Sequence, residues 1–223
     1  MTPLRMFGFD LRVAFVALLL SLVAFTGSAA ALPVLDFDFS TGAAGPGGSI
    51  VTSGGNVVGT GILIDMMTFT YEFAIPTSQT YDLSGAGAGL SGPSAILNFS
   101  TGGAGGNFIE IIGGAPTLGV ADGTTLLSGA FTDFSFTAIS TIGSFSGGGP
   151  GLISNDLLTA LGLPNDLNFD IFGFTMGITI PGQGGPYIAR STDIVSTVPN
   201  PSILVMLGMG LLTATAIIRR VTS

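Results

Sequence analysis

Short runs in which every second residue is apolar recur along this chain, and a period of two marks a strand with one buried face. In LDFDFS, Leu35, Phe37 and Phe39 alternate with Asp36, Asp38 and Ser40. In MTFTYEFAI, Met67, Phe69, Tyr71, Phe73 and Ile75 alternate with Thr68, Thr70, Glu72 and Ala74. DFSFTAI repeats the scheme through Phe134, Phe136 and Ala138, and Phe172, Phe174, Met176, Ile178 and Ile180 form a longer apolar face. The phase slips between Ile171 and Phe172, where a bulge is expected.

Glycine-rich connectors separate these runs: TGAAGPGGS, SGAGAGLSGP, STGGAGGN, SFSGGGPG and PGQGGP. Their residues tolerate turn dihedrals, so each reads as a loop. Short strands with frequent turns predict an all-β body, an antiparallel β-sandwich or jelly-roll-like fold. About 165 residues suffice to bury roughly two thirds of the unfolded surface in one domain. One segment departs from the pattern. SNDLLTALGLP offers Ser154 or Asn155 as N-cap, apolar Leu157, Leu158 and Leu161, a stop at Gly162 and Pro164 beyond it. These predict one short helix, closing one end of the body.

The residue types that are missing narrow the chemistry. The chain has no His and no Cys, which removes an imidazole base, a thiolate nucleophile and ordinary zinc or copper sites. All five basic residues are arginines, and four of them (Arg5, Arg12, Arg219 and Arg220) flank the two ends. Residues 32–198 therefore carry twelve acids against Arg190, a net charge of −11. Such a body repels phosphate backbones, so a nucleic-acid partner is excluded.

The ends read as processing segments. Arg5 and Arg12 precede an apolar stretch from Val13 to Phe25, followed by Ala29-Ala30-Ala31. A basic region, an apolar region and an A-x-A site predict a signal peptide over residues 1–31, cut between Ala31 and Leu32 by a signal peptidase. At the other end, Ile203–Ile218 is free of charge and ends on Arg219-Arg220. Its sixteen residues extend about 24 Å as a helix, enough to cross a locally thinned bilayer with the arginines cytoplasmic. A transmembrane helix is expected there.

Pro199-Asn200-Pro201, then SILVMLGMGLLTATAII, then Arg219-Arg220 together resemble the PEP-CTERM sorting signal of exported bacterial proteins, a tail also described as an ice-binding-protein C-terminal region. The resemblance covers residues 199–223, about a tenth of the chain. It implies recognition of Pro199, Asn200 and Pro201 by a membrane-embedded exosortase, removal of the tail, and orientation set by Arg219 and Arg220. Asn200 stands where that family carries Glu, which removes a carboxylate contact at the processing site. Residues 32–198 would then be the exported cargo. Two stretches of it, TTLLSGAFTDFSF and NDLLTALGLPNDLNFDIFGFTMGI, look like segments of other proteins with such tails.

For that cargo the expected role is structural or adhesive, at the cell surface or in an extracellular matrix of exopolysaccharide, with the inner membrane holding the precursor. The alternative is a carbohydrate- or ice-binding module, with or without calcium. Asp122, Asn155, Asp156, Asn165 and Asp166 lie in or near loops and carry the hard oxygen ligands that calcium takes, although no EF-hand spacing is present. Thr68 and Thr70 are one threonine pair, where ice binding asks for an array. Asp36 and Asp38 stand about 6.5–7 Å apart on one strand face, a separation that two hydrolytic carboxylates could use. They read first as the wet side of a strand whose dry side is Leu35 and Phe37, and no enzyme activity is expected. Asn98 opens an N-F-S sequon that has little meaning in a bacterial chain.

Overall fold

Thirteen antiparallel strands join in one hydrogen-bonded network in the computed structural model, which describes residues 33–39, 46–73, 75–83, 95–165, 167, 169, 171–180 and 186–198. They are β1 (Val34–Asp38), β2 (Gly47–Ser53), β3 (Asn56–Ile64), β4 (Met66–Phe73), β5 (Ile75–Asp82), β6 (Ala95–Thr101) and β7 (Asn107–Ala115). The series continues with β8 (Val120–Gly129), β9 (Asp133–Ile139), β10 (Ile142–Gly149), β11 (Gly151–Ile153), β12 (Ile171–Thr179) and β13 (Tyr187–Thr197). The predicted mostly antiparallel β body with one short helix is observed. The expected signal and transmembrane helices fall on residues 1–31 and 199–223, outside the described residues. Among the described residues, no helix is long and apolar enough to cross a membrane.

The last strand organises the sheet. β13 pairs with β12, β1 and β2, and three arms leave it: β12–β10–β9, β1–β4–β5, and β2–β3–β6–β7–β8–β11. Alternation in the sequence becomes alternation in burial. Leu35 and Phe37 of β1 are fully buried beside Ile194 of β13, while Phe172, Phe174, Met176 and Ile178 line the same side from β12. Aromatic rings then tie arms that are distant in the ladder. Phe99 of β6 lies 4.9 Å from Phe145 of β10 and 5.2 Å from Phe174 of β12, centroid to centroid. Phe131 completes the cluster, edge-on to Phe145 and Phe172 at 5.6 and 5.4 Å. Each such pair contributes roughly 0.5–1.5 kcal/mol beyond the area it buries.

The helix forms as its capping residues dictate. α1 runs Asn155–Ala160, the Ser154 hydroxyl accepts from the Leu157 amide, and Gly162 takes φ 71 just past the end. Leu157 and Leu158 are buried in the core.

Three expectations are corrected. MTFTYEFAI is not one strand: β4 ends at Phe73, which pairs with Ile75 of β5, so the chain reverses there and starts the next strand. The slip expected between Ile171 and Phe172 is absent from the β12–β13 ladder, whose register shifts between Gly177 and Ile178 instead. SFSGGGPG is not a loop but the body of β10 and the start of β11, and Gly47–Ser49 likewise belong to β2. Composition misled here because glycine serves close packing as well as turning. A Cβ at Gly147 would lie 2.8 Å from the Phe131 ring, and one at Gly149 would strike the Ala130 carbonyl oxygen.

Candidate functional site

Opposite the phenylalanine core, seven strands in the order β9–β10–β12–β13–β1–β4–β5 present one continuous polar face. Direct cross-strand partners point to the same side of a sheet, so the registers place residues in rows. One row carries Ser135, Ser146, Thr175, Asp193 and Asp38, and reaches Asp82 through Met66. Its neighbour carries Asp133, Gly148, Gly173, Val195 and Asp36, then Thr68 and Thr80. No single strand displays more than two or three of these groups. The array exists only across strands.

Thr68 and Thr70 therefore belong to a ladder. The Thr68 and Thr80 hydroxyls are hydrogen-bonded at 3.3 Å, and those of Thr70 and Ser78 at 2.9 Å. Two glycines on the opposite half of the face lower the surface into an open trough of about 490 Å³. Gly148 and Gly173 form part of its lining with Ser135, Ser146, Thr175 and Val195, and Asp133 and Asp193 stand in it as the carboxylates. No Lys or Arg is among the lining residues. A surface of this kind accepts hydrogen bonds from hydroxyl groups and repels anions.

The sequence-predicted pair, Asp36 and Asp38, sits beside this trough, joined by Asp193 from β13. Burial, then the neighbouring Asp193 and Asp38 charges, push the Asp36 carboxyl up to about 6, and a side-chain hydrogen bond to Asp193 acts in the same direction. Asp38 is raised by burial as well, against the Phe39 amide that donates to it at 2.6 Å. The Oδ1 atom of Asp36 is buried without a hydrogen-bond partner among the described residues. Protonated Asp36 donating to Asp193 relieves the repulsion of two carboxylates at one place. Asp193 is not among the sequence-predicted site residues, because RSTDIVSTV lacks the clean apolar alternation of β1. The signal was present in STDIVST, where Thr192, Ile194 and Ser196 alternate with Ser191, Asp193 and Val195.

The loop residues considered for calcium are not gathered. Asp122 is exposed on β8, Asn155 and Asp156 are exposed at the start of α1, and the Asn165 side chain accepts from the Thr159 hydroxyl at 3.0 Å. Asp166 lies outside the described residues. Among the described residues, no group of three or more His, Cys, Asp or Glu side chains is spaced to hold a metal ion. Asn98 is tied into the sheet, accepting from the Gly61 amide at 3.1 Å. The processing residues Ala29, Ala31, Leu32, Pro199, Asn200, Pro201, Arg219 and Arg220 all lie outside the described residues. Comparison with family models, with characterised proteins and with solved structures finds no match to this chain.

Proposed function

We propose that this chain is an exported bacterial surface or extracellular-matrix protein whose β body adheres to exopolysaccharide through the polar seven-stranded face. The observation that carries this reading is the trough over Gly148 and Gly173, whose lining sets hydroxyls and two carboxylates beside Phe134, Phe174 and Val195 and includes no Lys or Arg. A neutral polyol strand suits it, since sugar hydroxyls donate to Asp133 and Asp193 and exchange hydrogen bonds with Ser135, Ser146 and Thr175. The body is read as a sandwich or jelly-roll-like domain, supported by the Phe99 contacts that bring β6 against β10 and β12. It is read as a binding domain and not an enzyme, with Asp36, Asp38 and Asp193 on the polar face of the sheet beside the trough and no cofactor assigned.

Residues 1–31 and 199–223 supply the address. A signal peptidase cuts after Ala31, the apolar run before Arg219-Arg220 holds the precursor in the inner membrane, and an exosortase acts at Pro199-Asn200-Pro201. Intact mass of the protein from native cells, with and without the exosortase, tests this scheme. A mature species from Leu32 to near Pro199 is expected; Arg219-Arg220 retained in all exported material would leave a permanent anchor instead.

Adhesion is tested separately with Gly173→Gln. Nothing lies within 4 Å of where a Cβ at Gly173 would stand, so the side chain fills the trough without disturbing the fold. Retention on the native exopolysaccharide should weaken about tenfold; unchanged retention would move the binding surface elsewhere. A second reading, an ice-binding module, draws on the Thr68–Thr80 and Thr70–Ser78 rungs. Thr68→Val with Thr70→Val would then alter ice growth while leaving polysaccharide retention intact.

A further inference from the structure

The arms of the sheet end on unlike edges. β11 is only three residues long. β5 carries Pro76 and Asp82, and Thr77, Ser78, Gln79 and Thr80 along it are exposed and polar. Proline, charge and shortness are the usual guards of a strand edge. β9 has almost none of them. Its sequence DFSFTAI holds one charge, at the first position, and no proline or lysine. Among the described residues it pairs only with β10, and all of its residues except Phe136 are exposed. Apolar surface accompanies the open edge: Phe134 is 40% exposed and Ile139 is 70% exposed.

The hairpin decides which groups are free. Ile139 pairs with Ile142 across the two-residue turn Ser140-Thr141, which makes it the hydrogen-bonded closing pair. Alternation along an antiparallel ladder then turns the backbone N–H and C=O of Phe134, Phe136 and Ala138 outward.

We infer that β9 is the edge through which two copies of this chain pair, antiparallel, about a two-fold axis at Phe136. The register is self-complementary. Phe136 meets Phe136 of the second copy, Phe134 meets Ala138, Ser135 meets Thr137, and Asp133 falls opposite Ile139, so no like charges are opposed. The outward groups of Phe134, Phe136 and Ala138 exchange about six backbone hydrogen bonds. A second copy suits this edge because self-pairing about Phe136 leaves Asp133, the edge's one charge, with no charge opposite it. Pairing also joins the Ser/Thr face of one copy to that of the other. The inference does not depend on what the trough binds.

The absence of cysteine makes the test clean. Ser135 and Thr137 of opposite copies form a non-hydrogen-bonded pair, with Cα atoms about 4.5 Å apart, inside disulfide reach. Full-length chains carrying Ser135→Cys and Thr137→Cys are co-expressed and oxidised. A disulfide-linked dimer is expected as the main band in the mixture and only as background with either variant alone. Adding Ala138→Pro to both chains removes an outward N–H, keeps the bonds to β10 and should abolish the band with the thermal midpoint nearly unchanged. No dimer in the mixture would overturn the inference. So would equal bands in the single-variant samples, or in a Ser78→Cys plus Thr80→Cys mixture on β5.

Discussion

The strand β1 is two environments one side chain apart. Leu35 and Phe37 are fully buried beside Ile194, whereas Asp36 and Asp38 face Asp193 on the other side. On the dry side the neighbours are mainly apolar, with the buried Ser196 opposite Leu35 as an exception, and volume governs what is tolerated. On the wet side the cost is electrostatic, with three carboxylates held near one another and one of them half buried. The lesson is that the same strand is stabilised by packing on one face and loaded by repulsion on the other. Substitutions should therefore act with opposite signs on the two faces.

The largest effect is expected in the phenylalanine cluster. Phe145→Ala removes a ring in contact with Phe99, Phe131 and Phe174, and should cost about 3–5 kcal/mol in urea unfolding. A loss below 1 kcal/mol would mean that the two arms are not packed on one another. Next come two glycines on opposite faces of the sheet. Gly149→Ala forces a Cβ onto the Ala130 carbonyl and should cost about 2 kcal/mol, while Gly173→Ala, with nothing within 4 Å, should stay within about 0.5 kcal/mol.

Asp36→Asn tests the repulsive face and should stabilise. The Asp36 carboxyl moves from the ordinary value of 3.8 to about 6 on folding, worth at most about 3 kcal/mol. Water reaching the half-exposed group reduces that to roughly 1–2 kcal/mol. Because the folded chain binds this proton more tightly than the unfolded one, its contribution is fully present below pH 3.8 and is lost as pH rises through about 6. Asp38, raised by burial, adds in the same direction. The gain from Asp36→Asn should appear at pH 7 and vanish below pH 4 in paired denaturation curves. A gain independent of pH would show that packing, not charge, is responsible.

The smallest effect is expected at the β9–β10 turn. Ser140 has φ 58, a left-handed conformation among the described residues otherwise held by glycine. Asn tolerates it better, so Ser140→Asn should raise stability by about 0.5 kcal/mol in thermal unfolding.

How far these faces could be read from the chain depended on how local their cause is. Leu35 and Phe37 announced a buried face because alternation is a property of one strand. Ser154, Gly162 and Pro164 announced α1 because caps act within a few residues. Asp193 gave no comparable sign, and Thr68 and Thr70 looked like an isolated pair. Their partners Thr80, Ser78, Thr175 and Ser146 come from other strands. The glycines of SFSGGGPG suggest a loop because composition records permission to turn, while their use depends on the Phe131 ring and the Ala130 carbonyl that approach them.

By itself, then, the sequence determined that the body is made of short strands with one apolar side and that its charge is strongly acidic. Both rest on neighbours in the chain or on composition. Only the tertiary structure decided which strands lie side by side, hence the polar face, the trough, the meeting of Asp36 and Asp38 with Asp193, and the open edge of β9. Register between distant strands follows from packing of the whole core around β13, and no short stretch of sequence contains that information.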